Sequence, residues 1–277
     1  MIHTRSLTAI AALLVAGAIT ACGDKNNLHD IAAPTAGSAV KFFNFGVNAP
    51  AVNFYANDKK ITATTPSTSS ICSSPVDGST TDPTCLSTGK EATTGTGYGA
   101  NASTFGLYYS ITPGSYTLSG RITATTDNGV AISSTPTTLE NGKFYSYYLS
   151  GIYNTAAKSV EGFVVEDPLP DIALDKTYVR FVNASSNSQP MTLYVTDASG
   201  AQTAIGSAVA YKSAGSFLGI TPGTYNLAVR AAGSNTNLIT STAVGFSAGR
   251  VYTVTAYGDM TVSSGSTKPT LDNTPNR

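Results

Sequence analysis

The sequence predicts an all-β protein built as two tandem β-sandwiches, and three observations carry that prediction. Thr, Ser, Gly, Val and Tyr are abundant while Leu, Glu and Lys are scarce, a mixture that favours strands and turns over helices. Apolar residues come in short alternating runs separated by Gly- and Pro-containing turns, with no long segment of 3.6-residue period. Finally, the 277-residue chain repeats itself, as tandem architectures do.

The N-terminus comes first because it is a targeting segment. "MIHTRS" carries Arg5, and "LTAIAALLVAGAI" follows as an apolar run too short to cross a bilayer. It ends in Ile19-Thr20-Ala21-Cys22, which resembles the bacterial lipobox, so Cys22 is the expected lipidation site. Residues 1–21 are expected to be a signal peptide and 22–38 a lipidated flexible tether. Gly23, not Asp, follows the cysteine; the inner-membrane retention signal of enterobacterial lipoproteins is missing, which favours the outer membrane. Of the three cysteines, Cys72 and Cys85 then remain as a pair able to bridge in an oxidising compartment.

The repeat has three blocks. "VKFFNFGVNAPAVNFYAND" at 40–58 aligns without gaps on "VRFVNASSNSQPMTLYVTD" at 179–197, pairing Lys41 with Arg180 and Tyr55 with Tyr194. "SITPGSYTL" at 110–118 aligns on "GITPGTYNL" at 219–227, and "NGKFYSYYL" at 141–149 on "AGRVYTVTA" at 248–256. Comparing the spacings, the first copy carries roughly 30 surplus residues within its Thr-, Ser- and Gly-rich stretch at 62–103. The expected order is a first sandwich at 39–167 with this long disulfide loop, a linker at 168–176, a second sandwich at 177–260 and a disordered tail at 261–277. Each block reads as strands. "TPG" has the chemistry of a type II turn, and Asn128-Gly129 that of a type I′ hairpin. Alternation places Tyr145, Tyr147 and Leu149 on one face of their strand, with Phe144 and Tyr148 on the other.

These blocks resemble the bacterial family called domain of unknown function 4397, whose pattern is a "VRFVNAS" opening, a "PGTY" middle and an "AG..YTV.A.G" end. Residues 179–258 carry all three parts, and 40–153 a weaker version with Gly46 and Gly120 at two departures. The resemblance implies immunoglobulin- or transthyretin-like sandwiches, often in tandem, on envelope proteins. It implies no activity.

Composition narrows the chemistry further. Charged residues make up 12% and the formal net charge is zero, so no basic face for nucleic acid is expected. The two histidines, His3 and His29, lie in the signal and the tether. Neither sandwich can therefore hold a Ser-His-Asp or Cys-His system or a histidine zinc site, and no catalytic residue is assigned. Glu166, Asp167, Asp171 and Asp175 crowd the junction of the repeats; they read either as a solvated linker or as an interdomain calcium site, the one cofactor the sequence raises. Tyr108 and Tyr148 are candidates for an exposed aromatic platform, against the alternative that the extra rings of repeat one fill a core. The expected protein is a non-catalytic, membrane-anchored binding or structural module facing a glycan or an envelope protein. The alternative is an enzyme acting on polysaccharide through a carboxylate pair.

Overall fold

In the computed structural model, residues 37–63, 95–102 and 108–277 are described. Cys22, Cys72 and Cys85, the signal peptide, nearly all of the tether and most of the surplus stretch lie outside them. The described chain is all β and forms two sandwiches. Repeat one contains β1 (Ser38–Asn44), β2 (Val52–Ala56), β3 (Lys59–Lys60), β4 (Ala100–Asn101), β5 (Tyr109–Ile111), β6 (Gly114–Ile122), β7 (Thr135–Leu139), β8 (Phe144–Asn154) and β9 (Ser159–Glu166). Repeat two contains β10 (Thr177–Asn183), β11 (Met191–Thr196), β12 (Gln202–Val209), β13 (Ser213–Ala214), β14 (Leu218–Ile220), β15 (Gly223–Ala231), β16 (Ile239–Phe246), β17 (Val251–Tyr257) and β18 (Thr270–Pro275).

Each repeat has an outer and an inner sheet. The outer sheets run β3-β2-β6-β7 and β12-β11-β15-β16. The inner sheets run β4-β1-β8-β9, with β5 also on β1, and β13-β10-β17-β18, with β14 also on β10. Within each inner sheet the opening strand lies parallel to the strand of the third block: Phe42 is opposite Tyr147, and Phe181 opposite Val254. All other strand pairs are antiparallel.

The alternation read from sequence fixes the cores. Val40, Phe42, Phe54, Leu118, Tyr145, Tyr147 and Leu149 fill the first sandwich, and Val179, Phe181, Leu193, Leu227, Val229 and Val254 the second. A third cluster lies between the inner sheets, where Phe43, Phe45, Tyr148 and Phe163 meet Val182 and Ala184. The inner sheets are thus buried on both faces. This explains why their strands read as nearly unbroken apolar runs rather than as half-polar alternation.

The corner written twice differs from the expected type II turn. Gly114 and Gly223 begin strands β6 and β15, and Gly223 is not among the residues with positive φ. What the two corners share is a tyrosine clamp. The ring of Tyr116 or Tyr225 folds back over the glycine. Its hydroxyl donates to the carbonyl four residues upstream, Tyr116 to Thr112 at 2.8 Å and Tyr225 to Thr221 at 2.6 Å. Tyr225→Phe is expected to cost about 1 kcal/mol, the net worth of one such bond. Urea unfolding checks it, and Tyr116→Phe serves as the internal duplicate. At the other predicted hairpin, Asp127 and Gly129 take positive φ instead of the Asn128-Gly129 pair that a type I′ turn needs. The "NGK" and "AGR" turns place their glycines at positive φ: Gly142 at φ 75° and Gly249 at φ 67°.

A further expectation changes. The predicted disordered tail at 261–277 contains β18, which pairs with β17 from Tyr252↔Pro275 to Tyr257↔Thr270. The second sandwich therefore extends past 260 and is incomplete without its last strand. In repeat one, the two-residue β3 stands where repeat two has the eight-residue β12. Beyond β3 the edge of β2 is closed by the two described ends of the surplus stretch. Ile61 N donates to Phe54 O, Phe54 N donates to Thr62 Oγ1, and Thr96 bridges to Val52.

Candidate functional site

Of the residues singled out in the sequence, Tyr108, Tyr148 and Asp167 come together on a seam between the repeats and not on an open surface. Tyr148 is 0% exposed and stacks between Phe43 at 4.6 Å and Phe163 at 5.0 Å. Tyr108 donates to Asp167 Oδ2 at 2.7 Å and accepts from Asn276 Nδ2 at 2.7 Å. Neither ring offers the open platform proposed for it. Burial of the side chains on both faces of the inner sheets is the reason.

The acidic cluster is dispersed in the same way. Asp167, 1% exposed, takes a hydrogen bond from Ser146 Oγ at 2.8 Å and pairs with the Arg180 guanidinium. Glu166 pairs with Lys143 at 3.2 Å, while Asp171 and Asp175 are exposed. Glu166, Asp167, Asp171 and Asp175 are therefore not gathered around one point in the structure. Among the described residues no group of three or more His, Cys, Asp or Glu side chains could hold a metal ion.

The seam has approximate twofold symmetry, built by the equivalent strands of each repeat. Arg180 of β10, itself 0% exposed, reaches across to Glu166 O at 2.9 Å, while Lys41 of β1 reaches across to Pro275 O. The two carbonyls are equivalent, since Glu166 lies opposite Tyr145 and Pro275 opposite Tyr252. Ser146 bonds Asp167 on one side, and Thr253 bonds Asn276 at 2.7 Å on the other. Lys41 lies 4.5 Å over the Tyr108 ring and Arg180 4.7 Å over the Phe217 ring. At the rim, Tyr211 donates to Glu161 at 2.5 Å and Lys212 pairs with the same carboxylate at 3.2 Å. The Tyr211 hydroxyl is the main cause holding Glu161 below the ordinary carboxylate range.

Sequence reasoning missed Lys41, Arg180, Thr253 and Asn276 as seam residues. The available signal was a single cation inside an otherwise apolar strand, at the same place in both copies.

Lys41 is a titratable member of the seam. Burial pushes its ammonium from the ordinary 10.5 down to about 8, partly offset by the nearby Asp167 charge. Between those values the unfolded chain holds a proton that the folded chain lacks, so stability is expected to rise with pH from about 8 to 10. Above about 10 the trend reverses. Burial raises the phenols of Tyr108 and Tyr148, which stay protonated in the fold when unfolded ones ionise. Thermal melts across this range check it: the rise should vanish in Lys41→Met.

The accessible surface offers shallow grooves. One, of about 760 Å³, sits at one end of repeat two between the β11–β12 hairpin and the β14–β15 corner. Val195, Ile220 and Tyr225 contribute apolar surface, and Lys176, Asp197 and Ser199 contribute polar groups. Asp197 spends its carboxylate on its own hairpin, accepting from Ser199 Oγ, Ser199 N and Ala201 N. The Ser199 hydroxyl is the main cause keeping it below the ordinary range. Such a groove can hydrogen-bond a polyol or a peptide.

Architecture defines this protein as a pair of β-sandwiches fused face to face through a pseudo-symmetric seam. The family model described as Domain of unknown function (DUF4397) matches residues 38–194 and, overlapping them, 177–276. The chain belongs to that family, with two copies in tandem. The second match runs through β18, in accord with its place in the fold. No curated protein matches the chain.

Proposed function

We propose that this protein is a lipid-anchored component of the bacterial cell envelope, held at the outer membrane through Cys22, that binds a glycan or protein partner or supports structure and does not catalyse. The observation that carries the non-catalytic reading is the commitment of the junction acids. Asp167 is consumed by Arg180, Tyr108 and Ser146, and Glu166 by Lys143, which leaves neither as half of a free carboxylate pair. The chain's two histidines lie outside both sandwiches. The end groove of repeat two is the binding surface we favour, because loops at the ends of a rigid sandwich are free to vary without disturbing its core.

The experiment has two arms. Cys22→Ser should move the protein from membranes to the soluble fraction; an unmodified Cys22 by mass spectrometry would remove the anchor from the proposal. The soluble form beginning at residue 23 should bind envelope glycans or proteins without turnover, and release of reducing sugar ends would replace the binding reading with an enzymatic one.

A further inference from the structure

We infer that the seam is a heterotypic recognition surface: repeat one is shaped to accept repeat two, and neither is shaped to accept itself. Its polar contacts are reciprocal, but its apolar centre is not. Register makes the comparison direct. Phe43 opposite Tyr148 in repeat one corresponds to Val182 opposite Thr255 in repeat two. Tyr148 opposite Phe163 corresponds to Thr255 opposite Asp272. One strand end carries Phe45 and the other Ala184, and both lie in the shared cluster. Repeat one thus brings four rings to the centre, and repeat two brings small or polar side chains to the equivalent places.

Large against small is the arrangement that fills a close-packed interior. Two copies of repeat one would press the four rings of each against the same four of the other, and overpacked cores are destabilised. Two copies of repeat two, with Tyr257 and Tyr211 there but no counterpart of the four rings they pack on, would leave much of that volume empty. They would also face Arg180 with Asn276 in place of Asp167, leaving a buried cation without its counter-charge. Asp272, whose carboxyl is pushed up mainly by burial, would be buried twice over.

The linker contributes little to this pairing. Residues 168–176 are exposed or half-buried, and Leu174 is 84% exposed. Its backbone bonds are Lys176 N to Ala173 O and Gly249 N to Lys176 O. Recognition resides in the faces, so a repeat two from a second copy of this chain would satisfy repeat one equally well.

The test uses the whole chain, with a protease site inserted between Pro170 and Asp171 and cut after folding. The two halves are expected to co-elute as one particle with unchanged far-UV circular dichroism. After denaturation and joint refolding, native mass spectrometry should find one-with-two pairs and no like-with-like pairs. Val182→Phe, which puts a ring into the space that the rings of repeat one occupy, should separate the cut halves while each keeps its β signal. Halves that drift apart in the cut wild type, lose their β signal on cutting, or return as like-with-like pairs would overturn the inference. So would a Val182→Phe protein whose halves stay together.

Discussion

Arg180→Ala is expected to destabilise the protein by about 3–5 kcal/mol, the usual cost of removing one partner from a buried ion pair. For a domain of this size that is a fall in Tm of roughly 6–20 °C. The magnitude follows from what is left behind. Arg180 donates through Nε to Thr253 Oγ1 at 3.0 Å, through Nη1 to Glu166 O and through Nη2 to Asp167. Without it the Asp167 carboxylate stays buried with the Tyr108 and Ser146 hydroxyls as its hydrogen-bond donors and Lys41 as the nearby cation. The seam itself suggests the rescue: Asn276 occupies in repeat two the place of Asp167 and is neutral. Arg180→Met combined with Asp167→Asn is expected to recover more than half of the loss, because the Asp167 carboxylate is then no longer buried without its guanidinium partner. Thermal and guanidinium unfolding of the single and double variants decide the matter; a single variant as stable as wild type would show the pair to be solvated.

Tyr148→Ala is expected to cost about 3–5 kcal/mol, as deletion of a fully buried ring does. The ring contacts Phe43, Phe45 and Phe163, and these residues belong to the seam cluster and not to either sandwich core. The loss should therefore fall on the joint. Each sandwich keeps its own apolar cluster, so β-type circular dichroism should persist at temperatures where near-ultraviolet signals from the stacked rings are already lost. If Tyr148 were instead an accessible binding ring, its removal would leave the melting temperature unchanged and abolish ligand binding.

Much of the fold is legible in the sequence because it depends on local pattern. The repeat blocks give the strands, and alternation correctly turns Tyr145, Tyr147 and Leu149 inward. The tandem arrangement follows from spacing alone. The seam is harder to read because its polar members look ordinary one at a time. Lys41 and Arg180 resemble solvated strand cations, and Asp167 resembles a turn acid in a proline-rich linker. Only their meeting across two repeats makes them core residues. Strand β18 escapes for a related reason. "TLDNTP" contains Asp, Asn and Pro, residues that strands disfavour, and it is held by pairing with β17 and by the seam contacts of Pro275 and its neighbour Asn276. The end groove of repeat two is not legible either: Tyr108, Tyr148 and Asp167, which draw attention in the sequence, are residues the fold uses internally.

The parallel pairing of β1 with β8 also sets the order in which the molecule can be assembled. Contacts between distant segments must pay loop-closure entropy before they gain anything, which slows folding. A chain delivered N-terminus first presents the apolar run from Val40 to Phe45 early, yet Phe42 must wait for Tyr147 before its inner sheet can close. At a synthesis rate of about 5–20 residues per second, that wait lasts about 5–20 s. The joint between the repeats waits longer still, for the last strand of the chain. Until β8 arrives, the edge of β1 opposite β4 and β5 is an unpaired apolar edge of the kind that aggregates, and this is the period in which a holding chaperone would have its use.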